Sequence, residues 1–104
     1  MKINIYKTQK TIEKTYEVDN YDLMYGTIQD ILAVMDEGLP DLKDEEGLFK
    51  LLTANRKKID ALLLDIFADA GMTEEELRKT KVKELVPLFI DLFSYVEESF
   101  KSKN

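Results

Sequence analysis

Residues 59–71 read IDALLLDIFADAG, and this stretch has the clearest periodicity in the chain. Its apolar residues recur at helical spacing, so one face of a helix is apolar and the flanks carry acids. The stripe consists of Ile59, Leu62, Leu63, Ile66, Phe67 and Ala70. Gly71 is predicted to stop the helix, because glycine accepts the left-handed backbone found at helix ends.

The first 18 residues alternate with a period of two, which is typical of strands. The alternating apolar residues are Ile3 and Ile5 on one side of the first strand, and Ile12, Tyr16 and Val18 on one face of the second. Residues 8–10 lie between them as a turn. We predict a β-hairpin over residues 1–18, which needs helices or another chain to cover it because an isolated hairpin is marginally stable in water.

Between the hairpin and residue 59 the pattern becomes helical. One predicted stripe consists of Met24, Ile28, Ile31, Leu32 and Met35. Asp19 or Asn20 is expected to cap this helix, and Gly38 and Pro40 to end it. A further helix is expected to start at Asp44, Glu45 and Glu46 and to carry Leu48, Leu51 and Leu52, while Asn55 either caps the next helix or interrupts the helical pattern.

After Gly71 the sequence predicts two more helices. Thr73 and Glu76 have the spacing of a capping box, which starts a short helix reaching about residue 79. The last helix is expected over residues 83–99, with a wide stripe of Leu85, Leu88, Phe89, Leu92, Phe93, Val96 and Phe100. Pro87 falls in the first turn if this helix starts at Glu84, and bends it if the start is Lys81.

These elements predict a mainly α fold with an N-terminal β-hairpin (α+β), in which four to five short helices form a small compact bundle. The 104 residues are enough for a single domain. We expect the hairpin at 1–18, the helical bundle at 20–100 and a frayed tail at 101–104.

Charge and composition narrow the classes of function. The chain has 15 basic and 21 acidic residues, a net charge of −6, and residues 21–50 alone carry eight acids and two bases. Nucleic acid is a poor partner for such a chain, because binding it requires a basic surface. No secretory signal is expected at the start, and the apolar runs are far shorter than the roughly 20 residues that span a bilayer. We therefore expect a cytoplasmic protein that binds neither nucleic acid nor membrane.

The residues that commonly carry catalysis are scarce. The chain has no Cys and no His, so zinc, thiolate and imidazole chemistry are excluded together. Asp65 and Asp69 lie one turn apart on a helix flank, where solvent keeps both ionised. The acids at 36, 41 and 44–46 lack the spacing of a calcium loop and are better explained as helix-start charge. We expect no catalytic residue, no cofactor and no metal, and hence not an enzyme.

The segment 59–93 continues as MTEEELRKTKVKELVPLFIDLF and resembles the C-terminal half of tail assembly chaperones of long-tailed phages and prophages. In that family a leucine-rich helix ends at Phe, an acidic turn ending in E-E-L comes next, and the last helix opens with K-x-x-E-L-V/I-P. The matching residues here are Phe67, Thr73, Glu75, Glu76, Leu77, Lys81, Glu84, Leu85, Val86 and Pro87. The hairpin-like start with Tyr16-Glu17-Val18 is similar to family members that begin with a short β-element.

The resemblance implies a non-enzymatic helper that binds the tape measure protein and keeps it soluble before the tail tube polymerises. Such a helper acts in the host cytoplasm, is not retained in the virion, and is often made together with a longer frameshifted form. Amphipathic helices can cover the apolar stripes of such a partner. We expect the partner surface on the last helix and on the helix of residues 24–35: Met24, Ile28, Met35, Phe89, Phe93, Val96 and Phe100.

Three further expectations concern partners. Tyr21 and Tyr25 stand one turn apart beside the acidic segment, either as anchors on a protein surface or as buried edges with wet hydroxyls. The hairpin edge or the apolar helix faces allow a homo-oligomer. The alternative function is a small acidic regulatory or inhibitor module that sequesters a basic protein partner.

Overall fold

The chain folds as an N-terminal β-hairpin followed by helices, and the predicted α+β class is confirmed. The structure is a computed structural model that describes residues 1–36, 38, 41 and 43–101, with side chains described as far as residue 99. The strands are β1 (Lys2–Tyr6) and β2 (Ile12–Glu17). The helices are α1 (Tyr25–Asp36), α2 (Glu45–Ala54), α3 (Arg56–Ile66), α4 (Glu74–Leu77) and α5 (Val82–Lys101), with a 3-10 turn at Asn20–Asp22 before α1.

Two of the predicted helix starts are confirmed by their capping geometry. The Asp44 side chain accepts a hydrogen bond from the Gly47 amide at 3.0 Å, which satisfies one free amide at the start of α2. Thr73 and Glu76 form a complete capping box at α4, with each side chain accepting from the other residue's amide. Asn55 separates α2 from α3 and its side chain does not cap α3. Its side-chain amide instead donates to the Leu51 carbonyl of α2 at 2.9 Å.

The prediction for the start of α1 is wrong. The Asp19 side chain caps the 3-10 turn, where it accepts from the Tyr21 amide at 2.9 Å, and α1 begins only at Tyr25. Met24 therefore precedes the helix instead of lying on its buried stripe. The face that α1 buries is formed by Thr27, Ile31 and Val34, which is rotated from the predicted one. α1 ends at Asp36, before Gly38 with its φ of +114°, whereas Pro40 lies outside the described residues.

The helix with the clearest periodicity is shorter than predicted. α3 ends at Ile66, and residues 67–71 form a turn that closes on Gly71, which has a φ of +93°. Phe67, the first residue after α3, is still fully buried, so the buried apolar residues continue beyond the end of the helix. In α5, which starts at Val82, Pro87 lies inside the helix. It removes one donor near the exposed first turn, where the Lys83 carbonyl can be hydrated instead.

The buried apolar residues form one cluster to which β1 and all the longer helices contribute. α5 is central, since it packs against α1, α2 and β1. The fully buried large side chains are Phe67, Phe89, Phe93, Ile5, Ile31, Leu48, Leu63, Leu92, Val34 and Val96. The predicted tail, residues 101–104, lies outside the described residues apart from the backbone of Lys101.

The hairpin is antiparallel and contains an irregularity that the alternation did not predict. Ile3 pairs with Tyr16 and Ile5 with Lys14, but Tyr6 pairs with Ile12, so Glu13 is an extra residue in β2. One extra residue moves the neighbouring side chains to the other face of the sheet. Ile12 therefore lies on the opposite face from Tyr16, and the prediction that placed them together is wrong for Ile12.

Two carboxylates attach the hairpin to the helices. Glu84 on α5 accepts hydrogen bonds from Asn4 at 2.7 Å and from the Tyr6 hydroxyl, and the bond to Glu84 raises the pKa of the Tyr6 phenol. Glu76 on α4 pairs with Lys14 at 2.7 Å and accepts from the Tyr16 hydroxyl at 2.8 Å. The Lys14 bond, followed by the Thr73 amide and Tyr16, lowers the pKa of the Glu76 carboxyl to about 2.

Candidate protein-binding site

Three of the residues that the sequence proposed for partner binding are core residues. Phe89, Phe93 and Val96 are fully buried, and the two phenyl rings pack with centroids 5.5 Å apart. They face inward because α5 is surrounded by α1, α2 and β1. In this structure they offer no surface to a partner, so the proposed site has to be built from other residues.

The remaining members of that set are placed differently. Ile28 and Met35 are half-buried and pack against the core. Met24 is 72% exposed, because it precedes α1 instead of joining its buried face. The side chain of Phe100 lies outside the described residues.

Met24 belongs to a group of three large exposed side chains that we call the aromatic ridge, formed by Tyr21, Met24 and Tyr25. Tyr21 is 85% exposed and Tyr25 is 69% exposed. The 3-10 turn holds Tyr21 at this position, where its ring meets the edge of Tyr95 with centroids 6.1 Å apart. Of the two interpretations that the sequence left open for these tyrosines, the structure supports exposed rings over buried edges.

Met24 lines a groove with a volume of about 530 Å³, which we call the acidic groove. It is formed where the end of the hairpin and the 3-10 turn meet the start of α1 and the end of α3. Its described lining consists of Glu17, Val18, Asp19, Asp22, Leu23, Met24, Thr27, Asp65, Ile66, Ala68, Asp69 and Ala70. These residues include five carboxylates and no lysine or arginine, together with apolar side chains such as Val18, Leu23 and Ile66.

Asp65 occupies a fixed position in this groove. The buried Thr27 hydroxyl on α1 donates to the Asp65 carboxylate on α3 at 2.6 Å. This hydrogen bond joins the two helices and holds one oxygen of the carboxylate, while the residue remains exposed to solvent. A short bond to an ionised acceptor is stronger than a neutral one.

A second cavity of about 550 Å³ continues along the same two helices. It is lined by Asp30, Ala33, Val34, Lys58, Ala61, Leu62 and Asp65. The two cavities lie on either side of the Thr27–Asp65 hydrogen bond along the line where α1 and α3 meet, and we call them together the trough. The exposed alanines at positions 33, 61 and 68 keep the trough shallow and accessible.

Two of the acids that the sequence analysis considered for metal binding, Asp41 and Asp44, have local backbone partners. The Asp41 side chain accepts from the Lys43 amide at 2.9 Å, and Asp44 caps α2. Within the described part of the chain, no group of three Asp or Glu residues is arranged to hold a metal ion. Asp65 and Asp69 both line the acidic groove, and the partner that the structure gives Asp65 is the Thr27 hydroxyl.

Sequence reasoning found the ridge but not the groove. The tyrosine pair and the Asp65–Asp69 pair were visible as separate local patterns. The groove exists because the end of the hairpin lies next to the end of α3. Glu17 and Asp65, which both line it, are 48 residues apart in the chain, so no local sequence pattern could indicate that they are close.

Among the described residues, no helix is both long and apolar enough to cross a bilayer. Comparison of the chain with protein-family models, with curated proteins and with solved structures gives no match. The resemblance to tail assembly chaperones therefore stays a prediction that rests on the residues of the segment 59–93.

Proposed function

We propose that this protein is a non-enzymatic binding protein that covers an apolar, basic segment of another polypeptide. The observation that carries the proposal is the aromatic ridge of Tyr21, Met24 and Tyr25, whose Met24 lines a groove that contains five carboxylates. Large exposed side chains next to a groove with apolar lining residues are typical of interaction surfaces. Tyrosine suits this role, because its ring supplies contact area while its hydroxyl can remain in water.

We further propose that the protein is a tail assembly chaperone, and that its partner is the tape measure protein of a phage or prophage. The support for this finer assignment is the resemblance of residues 59–93 together with the ridge and groove. A long helical tape measure protein exposes apolar stripes that aggregate before the tube forms, and the ridge and groove offer a surface that covers such a stripe. The chaperone would act in the host cytoplasm and leave before the virion is complete.

The residues that carry the resemblance do not themselves form the proposed surface. Phe67, Leu77 and Val86 are buried, and Thr73 and Glu76 cap α4. These five residues support the fold, and none of the residues that carry the resemblance lines the groove. The proposed binding surface is therefore the ridge and the groove.

Co-expression with the tape measure protein encoded beside the gene tests the proposal. We expect the two chains to co-purify and the tape measure protein to become more soluble. The variant Met24→Ala with Tyr25→Ala should weaken binding by about 30-fold or more, as expected when an interface anchor worth about 2 kcal/mol is lost. Phe49→Ala with Val82→Ala is the matched control, because these two side chains are 46% and 48% exposed and belong to neither the ridge nor the groove lining. Absence of co-purification, or an equal effect of both variants, would contradict the proposal.

The acidic groove also favours a second function, an acidic module that sequesters a basic protein. Its support is the five carboxylates of the lining and the net charge of −6. Salt distinguishes the two functions, because the Debye length falls from about 8 Å at physiological salt to about 3 Å at 1 M. Binding that depends on apolar contacts should survive about 1 M salt, whereas binding that depends on charge alone should be lost.

Self-association through the hairpin is a separate proposal. The described part of the sheet has two strands, so the outer edge of β2 carries no ladder partner there. Sedimentation across a wide concentration range tests it, and a strict monomer would contradict it.

A further inference from the structure

The trough along α1 and α3 has a direction. Thr27 near the start of α1 meets Asp65 near the end of α3, while Val34 near the end of α1 shares a cavity with Lys58 near the start of α3. The two helices are therefore antiparallel. The 12 residues of α1 give the trough a length of about 18 Å, which matches a partner helix of about three turns.

The two ends of the trough differ in charge. At the start of α1 lie Glu17, Asp19, Asp22 and Asp69, which we call the acid end. At the other end α3 begins with Arg56, Lys57 and Lys58, of which Lys58 lines the trough, and α1 ends at Asp36. We call this the basic end. Asp30 and Asp65 line the middle. The charged side chains are thus all acidic at one end of the trough, whereas the other end carries the three bases at the start of α3.

The floor of the trough allows a helix to approach closely. Ala33 on α1 and Ala61 and Ala68 in and after α3 are exposed and small, and they line the two cavities. Helices pack with axes about 8–10 Å apart, and the shorter distances require small residues at the contact. A third helix can therefore lie in the trough with its own apolar stripe against these alanines and with its first turns beside Met24 and the ridge.

We propose that the trough binds a partner helix of defined polarity, parallel to α1, with lysine or arginine in its first two turns and small apolar residues along its inner stripe. This rests on the proposed function. A helix carries about half a positive charge at its N-terminus and half a negative charge at its C-terminus. The acid end therefore favours the N-terminus of the occupant, the basic end favours its C-terminus, and basic side chains in the first turns pair with the carboxylates.

Two synthetic 18-residue peptides of identical composition, about 27 Å long as helices, test the polarity. Both carry a Leu and Ala stripe; the forward peptide has lysines in its first two turns and glutamates in its last two, and the reverse peptide has these exchanged. We expect the forward peptide to bind about tenfold more tightly, since two or three surface ion pairs gain the added support of the dipole. The helicity of both free peptides is measured as a control. The forward peptide should be the less helical of the two, because its lysines and glutamates oppose its own helix dipole. Tighter binding of the forward peptide therefore cannot result from a higher helix propensity.

Direction is mapped on the unmodified protein with a benzophenone on either terminal residue of the forward peptide. A label on the first residue should cross-link to residues 17–25 or 65–70, and a label on the last residue to residues 33–36 or 56–61. Tighter binding of the reverse peptide, equal binding of both, or cross-links in the opposite order overturns the polarity while leaving the proposed function intact. If neither peptide binds and the tape measure protein also fails to co-purify, the proposed function itself fails. A dimer of this chain that occupies the trough in sedimentation and cross-linking overturns the assignment to a partner helix.

A charge reversal supplies the second measurement. Asp22→Lys with Asp69→Lys reverses two exposed charges at the acid end and should weaken the forward peptide by about tenfold, because two attractive pairs become repulsive. Asp91→Lys with Glu98→Lys, at two exposed positions of α5, changes the net charge by the same amount and should leave binding unchanged. An equal effect of the control would show a general loss of negative charge instead of a site, and would overturn the proposal.

Discussion

Replacing Ile5 with alanine tests whether the hairpin belongs to the core. Ile5 lies on β1 and is 0% exposed, whereas Ile12 on β2 is 49% exposed. The same substitution at these two positions therefore separates burial from strand propensity within one hairpin.

The magnitude depends on the atoms that the substitution removes. Ile5→Ala deletes three buried carbons, which corresponds to about 2.4 kcal/mol of transfer free energy at about 0.8 kcal/mol each. A residual cavity of about 50 Å³ adds about 1.2 kcal/mol. The sum of about 3.6 kcal/mol is a large part of the roughly 5–15 kcal/mol that stabilises a folded domain, and it should lower the Tm by about 15–25 °C. Ile12→Ala should cost about 1 kcal/mol or less, because half of that side chain is already in water.

Urea unfolding followed by far-UV circular dichroism measures both variants, and the helices provide the signal even though the substitution is in a strand. If Ile5→Ala fails to fold, Ile5→Val replaces it in the test, and this variant should lower the free energy of unfolding by about 0.5–1.5 kcal/mol. Equal shifts of the urea midpoint for the two alanine variants would refute the reasoning, since the hairpin would then not be packed on the helices.

Three further outcomes are expected. Thr73→Ala removes the N-cap of α4 and should lower the free energy of unfolding in urea by about 1 kcal/mol. Thr73→Ser keeps the capping hydroxyl and should retain most of that stability. The pKa of the Glu76 carboxyl is about 2 instead of the ordinary 4.5, so its ion pair stabilises the fold fully above pH 4.5 and less as the pH falls toward 2. Glu76→Gln should therefore flatten the pH dependence of the urea midpoint in this range. A pH profile identical to that of the parent chain would contradict this assignment. Thr27→Val should destabilise the α1–α3 contact by about 1–2 kcal/mol in urea unfolding, because a hydrogen bond to an ionised acceptor is lost from a buried hydroxyl position. In a double-mutant cycle with Asp65→Ala, the two substitutions should be non-additive, and strict additivity would show that the hydrogen bond contributes nothing.

The elements that sequence reasoning predicted correctly are those whose signal is local. The cap at Asp44 and the box at Thr73 and Glu76 each involve residues three apart, so the chemistry is complete within one turn. The stripe of α3 and the strand alternation around Ile3 and Ile5 are likewise visible in a short window. Gly71 adopts the positive φ that its position suggested.

The errors arise where a second element decides the outcome. Asp19 could have capped a helix, but its side chain caps a 3-10 turn that carries Tyr21 outward. The extra residue at Glu13 moves Ile12 to the other face of the sheet, because pairing with Tyr6 is set by the partner strand. A periodic pattern fixes which residues share a face, but it does not state which partner will cover that face.

The amino-acid sequence by itself determined the α+β class, the places where most helices begin, and the absence of cysteine and histidine chemistry, because each of these depends on residue type or on neighbours within one turn. The tertiary structure alone decided that Phe89, Phe93 and Val96 fill the core. It also decided that Tyr21, Met24 and Tyr25 remain exposed, and that Met24 lines a groove with carboxylates from the hairpin, the 3-10 turn and α3. The physical reason is that apolar stripes compete for a limited interior. Only the packing of distant elements determines which stripes are buried, and which side chains are left at the surface for another polypeptide.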